Sequence, residues 1–452
     1  MKPRPIGVLT LCLLVFFAGC ATNVYPVYLT WQGDTSTTMT VNYHTPDAPV
    51  ASTVFYDTES RDGLLSAYRY RAAGSAHQIP GLPGGRYINT VELSGLQPAT
   101  AYYFIAGDLR NGFAPEKRFR TIPGDDAPLR FIAGGDMSVL PREKLLLKQA
   151  AKQQPMFAII GGDIAYDNGD LDSYFLWDIW LKRWSRIMVN DDKTIVPLVL
   201  AIGNHEVTDN APDDALEDSP GIAEATTTAA APTANRRAGA AVPEVPGVPA
   251  VLDPPEARAP FYLGYFSQGG SSYFTRTFGA NMLLMVLDSG HLVPQGGAQT
   301  AWLAEQSETY DGYPVKFAAY HVPLYPSVRD FDNDLSTASR EHWLPLFDAH
   351  KLTAAFEHHD HAFKRTKPLR GGEVSEEGAL YLGDGCFGVK PRPVTTPTPW
   401  YIEKSSNTPH FWVVDVSTEG ISYRAIDSHG RIIDELSQPT AALRASAAST
   451  SP

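Results

Sequence analysis

Five short stretches of this 452-residue chain carry residue types that bind cations or move protons, and each closes an apolar run. They are Gly134-Gly135-Asp136; Gly161-Gly162-Asp163, with Tyr166 three residues on; Gly203-Asn204-His205-Glu206; the single His321; and Glu357-His358-His359-Asp360-His361. Taken singly, each has a bland explanation. A Gly-Gly-Asp is a turn with an aspartate suited to cap a helix, and one histidine at a strand end is an ordinary core or surface residue. His359 and His361 are a stronger sign, because alternate residues of an extended chain face the same way. Together the five stretches resist explanation as turns. Two carboxylates about 4 Å apart repel by roughly 4 kcal/mol at an effective dielectric near 20, and a phenolate adds to that. Such a group is stable in one place only around strong cations, so the chemistry it points to is metal binding.

The elements that must bring these residues together read as strands alternating with helices from residue 129 onward. Strands are expected at 129–133, 156–160, 195–202, 282–287, 315–320, 352–356 and 379–382, and helices at 142–154, 174–189, 300–310 and 339–350. Strand ends on one side of an α/β sheet share a crevice. The glycines before each candidate ligand let the chain turn sharply there and leave space. Trp177, Trp180 and Trp184 recur at helical spacing and read as core. A hairpin at 411–416 and 421–425 closes the unit, which spans 129–438.

Residues 23–122 are different in kind. Val27, Leu29 and Trp31, then Met39, Val41 and Tyr43, alternate with polar or turn residues, the pattern of strands with one buried face. Leu96-Gln97-Pro98-Ala99-Thr100-Ala101-Tyr102 resembles the tyrosine corner of fibronectin type III sandwiches. His44 and His77 stand isolated, so this all-β segment is read as a support module. Residues 121–127 form a polar linker. Residues 209–260 are rich in Ala, Pro, Thr and Glu and read as a flexible surface insertion, either a lid over the site or a tolerated addition. The Ala/Ser/Thr-rich tail, 439–452, is expected to be disordered.

Composition bounds the partners. Hydrophobic residues make up 43% and charged residues 19% of the chain, the net charge is −13 and the pI about 5.4. Nothing offers the basic face that a duplex nucleic acid requires. An acidic body repels anions at long range, so an anion site here needs a strong local cation. Residues 1–20 read as a targeting segment, with Lys2 and Arg4 before an apolar run ending Phe17-Ala18-Gly19-Cys20. That ending resembles the lipobox of bacterial lipoproteins, which implies a lipidated Cys20 and attachment to a membrane surface at the cell envelope; ordinary periplasmic export or secretion is the alternative. Cys386 then has no internal partner for a disulfide.

In order across residues 129–363, the five stretches resemble the blocks GDxG, GDxxY, GNHE, a strand-end His and GHxH of the calcineurin-like metallophosphoesterases, and within them the purple acid phosphatases. The sandwich before them is similar to that family's N-terminal domain. The resemblance implies an αββα catalytic domain, with Asp163 bridging two metal ions. Asp136, Tyr166 and His361 would complete the first site, and Asn204, His321 and His359 the second. A phenolate ligand favours a hard trivalent ion, so Tyr166 implies Fe(III) with Zn, Fe(II) or Mn(II) as its companion, and a purple colour. His205 would contact the phosphate or assist the leaving group. The sequence also departs from the pattern. Ser138 and His358 stand where the blocks have glycine. His358 either supports a ligand or points the other way along the strand. The family's further substrate histidines find no match in Val322-Pro323-Leu324-Tyr325-Pro326-Ser327-Val328-Arg329-Asp330, where Arg329 could bind phosphate instead.

Three functions fit these residues. The first is hydrolysis of small phosphomonoesters at a dinuclear centre. The second is hydrolysis of diesters, of nucleotides or phospholipid head groups. The third is surface binding through the sandwich, with an inactive metal domain.

Overall fold

The computed structural model describes residues 23–208, 253–383 and 385–439. The stretch read as a targeting segment, with Cys20, most of the 209–260 insertion and nearly all of the 439–452 tail lie outside the described residues.

The N-terminal region folds as two facing antiparallel sheets. One orders Val27–Thr30, Met39–Thr45, Tyr87–Leu93 and Ser75–His77; the other orders Tyr70–Ala73, Thr53–Asp57, Ala101–Asp108 and Gly112–Phe113, with Lys117–Arg120 also paired to Ala101–Asp108. The Tyr102 hydroxyl accepts the Gln97 backbone N–H at 2.8 Å, which closes the tyrosine corner over residues 97–102.

The rest is a four-layer αββα unit. Its first sheet runs Leu198–Ala201, Phe157–Gly161, Leu129–Gly134, His410–Val416, Ile421–Asp427, Ile432–Gln438. Its second runs Phe274–Phe278, Met282–Val286, Val315–Ala319, Ala354–Phe356, Leu380–Gly383, Phe363–Thr366, Ile402–Ser406. Period-2 alternation sorts the side chains. Phe131, Ala133, Phe157 and Ile159 face Leu284, Phe317 and Phe356 between the sheets. Ile132, Ala158 and Ile160 face outward, beneath Leu146 and Leu147 of helix Pro141–Ala151 and beneath Trp177, Trp180 and Trp184 of helix Tyr174–Ile187. On the far side Leu283, Met285 and Ala318 pack against Leu303 of helix Ala298–Thr309 and Trp343 of helix Asp334–Ala349.

Two features matter for the site. Three strands of the first sheet (Leu129–Gly134, Phe157–Gly161, Leu198–Ala201) are mutually parallel. So are four of the second (Met282–Val286, Val315–Ala319, Ala354–Phe356, Leu380–Gly383). The crevice is therefore walled by the carboxyl ends of strands from both sheets.

Sequence and structure differ in places. Residues 255–260, assigned to the insertion, belong to two short helices, Pro255–Arg258 and Pro260–Tyr265, each with proline in its first turn. Phe261, Tyr262 and Tyr265 of the second are buried in the core. The last long helix starts at Asp334, ahead of the expected 339, because the Asn333 side chain caps it by accepting the Ser336 N–H. The closing hairpin has a third strand, Ile432–Gln438, whose alternation is too weak to read from sequence.

Candidate metal centre

Asp136 and Asp163 follow adjacent parallel strands, and the turns are knitted together: the Asp136 N–H donates to the Gly162 carbonyl and the Met137 N–H to the Asp163 carbonyl. Each aspartate has one oxygen fixed by a backbone N–H. His359 N–H donates to Asp136 Oδ2 at 3.0 Å, and His205 N–H to Asp163 Oδ1 at 2.8 Å. The other oxygens, Asp136 Oδ1 and Asp163 Oδ2, are buried and, with the facing imidazole nitrogens unprotonated, have no hydrogen-bond donor among the described residues. Asp136 Oδ1 faces His361 Nε2 at 2.9 Å, and Asp163 Oδ2 faces His321 Nε2 at 3.1 Å.

The His321 ring shows why a cation fits. Its Nδ1 lies 2.9 Å from the Gly161 carbonyl, which can only accept, so Nδ1 carries the hydrogen. Nε2 of the neutral ring then presents a lone pair. Three more potential ligand atoms face it: Asn204 Oδ1 at 2.9 Å, His359 Nδ1 at 3.1 Å and Asp163 Oδ2 at 3.1 Å. Atoms ligating one ion at about 2.1 Å stand about 3.0–3.4 Å from each other, which is the spacing seen. Burial disfavours a charge on His321, but Asp163 and Asp136 outweigh it and raise the ring to about 9. A proton at Nε2 would answer only one of the three facing atoms.

Candidate ligand atoms fall into two groups, Asp163 with His321 and His359, and Asp136 with Asp163 and His361, each within 4.8 Å. Asp163 is common to both. Asn204 adjoins the first group, and the Tyr166 hydroxyl lies 3.3 Å from His361 Nε2 in the second. All seven residues singled out from sequence thus meet, and they fit a pair of metal ions. Burial opposes the charge on Asp163, yet His321 and His205 hold it well below the usual carboxylate range. For Asp136, His361 and His321 likewise outweigh burial and lower it.

The backbone is bent to this purpose. Asp136, Ser138, Asp163, Tyr166, His359 and His361 all have positive φ, between 52° and 75°. That conformation is uncommon for residues with a Cβ and gathers at functional sites. Glu206 holds the turns in place by accepting the N–H groups of Gly203, Asp163 and Ile164 at 2.7–2.8 Å. Burial and then Asp163 raise it to about 7. His205 is buried and stacks on Tyr166 with centroids 4.2 Å apart. Its Nδ1 bonds Asn168 Oδ1 at 2.5 Å, and its Nε2 lies 4.0 Å from Asp163 Oδ2.

The two weaker sequence candidates fall elsewhere. His358 is not a substrate residue. Its Nδ1 bonds the Tyr320 carbonyl at 3.0 Å, its ring fills the space left by Gly135 and Gly161, and burial lowers it to about 4. The chain has left strand Ala354–Phe356 by this point, and His359 has a φ of 75°, so the two neighbouring rings diverge at a turn. The space left by those glycines therefore serves the His358 ring. Arg329 Nη1 is engaged with the His359 carbonyl at 2.6 Å and Asp360 Oδ1 at 3.2 Å. Asp360 Oδ2 also accepts the N–H groups of Ser327, Val328 and Arg329. Arg329 and Asp360 thus brace the loop beside the centre.

Three residues escaped the sequence reading. Asn168 holds His205. Gly385, with φ of 57°, passes so close to Asp136 that a Cβ would overlap its carboxylate; Gly383 and Gly385 at a strand end were the available signal. His291 follows strand Met282–Val286 in Asp288-Ser289-Gly290-His291, with its ring centroid 5.6 Å from that of His321. Burial, with His321 nearby, lowers it to about 3, so its ring is neutral.

Comparison with known proteins bears on the fold. The family model "Purple acid Phosphatase, N-terminal domain" matches residues 24–121. An uncharacterized protein of Mycobacterium tuberculosis strain H37Rv is 24% identical over 372 residues, 76% of this chain and 62% of that protein. Purple acid phosphatase 15 of Arabidopsis thaliana is 23% identical over 349 residues, 69% of this chain and 58% of that one. The chain thus spans less than two thirds of the length of these relatives. Among solved structures, purple acid phosphatase PPD1 from yellow lupin (Lupinus luteus) seeds matches 92% of this chain and 74% of its own, with a TM-score of 0.70 and 16% identity. PhoD matches with a TM-score of 0.61 and 13% identity, over 90% of this chain and 91% of its own. The fold is that of a metallophosphoesterase. More narrowly, it is purple acid phosphatase-like, an αββα domain preceded by the N-terminal domain found in that family.

Proposed function

We propose that the protein hydrolyses small phosphomonoesters at a pair of metal ions held by Asp136, Asp163, Tyr166, Asn204, His321, His359 and His361. The observation that carries this reading is Asp163, which belongs to both ligand groups and whose buried Oδ2 has no hydrogen-bond donor among the described residues. Bound ions supply Lewis acidity toward a phosphoryl oxygen and lower the pKa of water. The phenol of Tyr166 favours Fe(III) in the group with Asp136 and His361. The chain's own residues then do three things. Asp136 and Asp163 balance the cationic charge. Glu206 and the backbone donors to the aspartates keep the ligands aimed before substrate arrives, as preorganised electrostatic catalysis requires. His205, its Nδ1 held by Asn168 Oδ1, presents Nε2 to the space beside Asp163, where its imidazolium form would donate to a phosphoryl or leaving-group oxygen.

Metal analysis, visible absorbance and rates on para-nitrophenyl phosphate test the proposal together. Wild type is expected to hold two metals, one of them iron, and to absorb in the visible. It should favour the monoester over bis(para-nitrophenyl) phosphate. Asp163→Asn should lose metal and more than about 100-fold in turnover, since even partners outside the ligand shell are worth 10- to 100-fold. A colourless zinc or manganese protein would remove iron from the proposal, and faster cleavage of the bis ester would make it a diesterase. Wild type without metal or hydrolysis would leave the surface-binding alternative.

A further inference from the structure

The ligand groups account for most of the imidazoles at the centre, and His205 for one more. His291 has no part in either. Its loop, Asp288 to Val293, is held more firmly than a passive connection needs. Asp288 Oδ1 accepts the N–H groups of Gly290 and His291, and its Oδ2 those of Leu292 and Val293. Gln299 brackets Asp288 from the other side, accepting its N–H and donating to its carbonyl. Arg258 Nη2 donates to the His291 carbonyl at 2.7 Å. The result is an imidazole fixed beside His321, on the edge of the group formed by Asp163, His321 and His359.

Ser289 bears on its tautomer. The Ser289 hydroxyl accepts the Val322 N–H at 3.0 Å and lies 3.2 Å from His291 Nε2. Its own hydrogen is available to Nε2, and donation there would leave the ring N–H on Nδ1. His291 is buried, 7% exposed, at the edge of the Asp163, His321 and His359 group. Meanwhile His358 is turned into the fold, and Arg329 Nη1 is spent on the His359 carbonyl and Asp360.

Resting on the phosphoesterase reading above, we propose that His291 is a substrate-binding residue whose Nδ1–H donates to a phosphoryl oxygen held at the Asp163, His321 and His359 group. Ser289 acts as the positioning residue that sets the tautomer. The ligand class is a tetrahedral oxyanion, a phosphate monoester or its product, orthophosphate.

The test uses the full metal-loaded chain and inorganic phosphate as probe, with affinity read by calorimetry and by the rise in melting temperature. His291→Phe removes the donor; His291→Gln keeps an N–H. A hydrogen bond to a charged group is worth about 10- to 100-fold in affinity. His291→Phe should therefore weaken orthophosphate binding and raise KM by about that factor, with two metals still bound and the ligand-free melting temperature retained. His291→Gln should recover part of the loss, and Ser289→Ala should give a smaller loss in the same direction. Unchanged phosphate affinity in both His291→Phe and Ser289→Ala would overturn the proposal, as would loss of metal from His291→Phe. Wild type that hydrolyses and binds phosphate, with indifferent variants, would sink this proposal alone. Wild type that takes up metal but neither hydrolyses nor binds phosphate would sink the phosphoesterase reading as well.

Discussion

The Gly161–His358 contact shows how far the site reaches into residues that never touch a ligand. A Cβ at Gly161 would overlap the His358 ring, and one at Gly135 would do the same from the neighbouring turn. These glycines keep the sheet close enough to the 357–361 segment for His359 and His361 to reach Asp136 and Asp163. Gly161→Ala should therefore destabilise the fold by about 1–3 kcal/mol, the usual cost of an inserted carbon in a packed core. It should also lower metal affinity. Combining it with His358→Gly should restore part of the stability, because the clash goes with the ring. Chemical denaturation of the three variants measures this, and equal stability of wild type and Gly161→Ala would show that the ring simply moves aside.

At the scale of elements, the strand ends from different places in the chain are tied by a buried ion pair. Glu357, at the end of strand Ala354–Phe356, bonds the Tyr320 hydroxyl at 2.8 Å and the Leu324 N–H at 2.7 Å beyond the next strand. Lys364, from strand Phe363–Thr366 on the far side of Leu380–Gly383, pairs with Glu357 Oε2 at 2.5 Å and also donates to the Tyr325 carbonyl. Both charges are fully buried. Removing one member leaves the other uncompensated, so Lys364→Met should cost about 3–5 kcal/mol. The double change Lys364→Met with Glu357→Leu should cost less than Lys364→Met alone. Urea midpoints decide the matter, and a double variant weaker than the single would mean that the pair's hydrogen bonds, rather than its charges, hold the strand ends.

At the scale of the molecule, the sandwich and the αββα unit share one packed interior. Trp31 meets Phe157 and Phe278 edge-on, and those two rings stack with centroids 4.0 Å apart. Tyr28 and Thr35 donate to the Tyr265 and Thr277 carbonyls across the same boundary. The crevice is thus built on a rigid base, and the strained, charged turns at its floor are the part that a cation completes. Metal bound to the folded state alone adds RT ln(1 + [M]/Kd), about 4 kcal/mol at a thousandfold excess over Kd. Chelation should lower the melting temperature, and added metal should restore it. A scan unmoved by chelator and metal would mean that the turns hold themselves without ions.

Residue types and spacing carried the five ligand-type stretches at strand ends, the strand–helix alternation and the leading sandwich, because each is written locally: a glycine turn, a period of two, an imidazole at alternate positions; the choice of seven ligands among them came from the family resemblance those stretches carry. They did not reveal that His358 faces inward, that Arg329 braces its own loop, or that His291, Asn168 and Gly385 reach the centre. Those are facts of packing. Which face a side chain takes, and which distant loop lies against it, depends on parallel registers and sheet stacking between residues far apart in the chain. No short window of sequence contains that information.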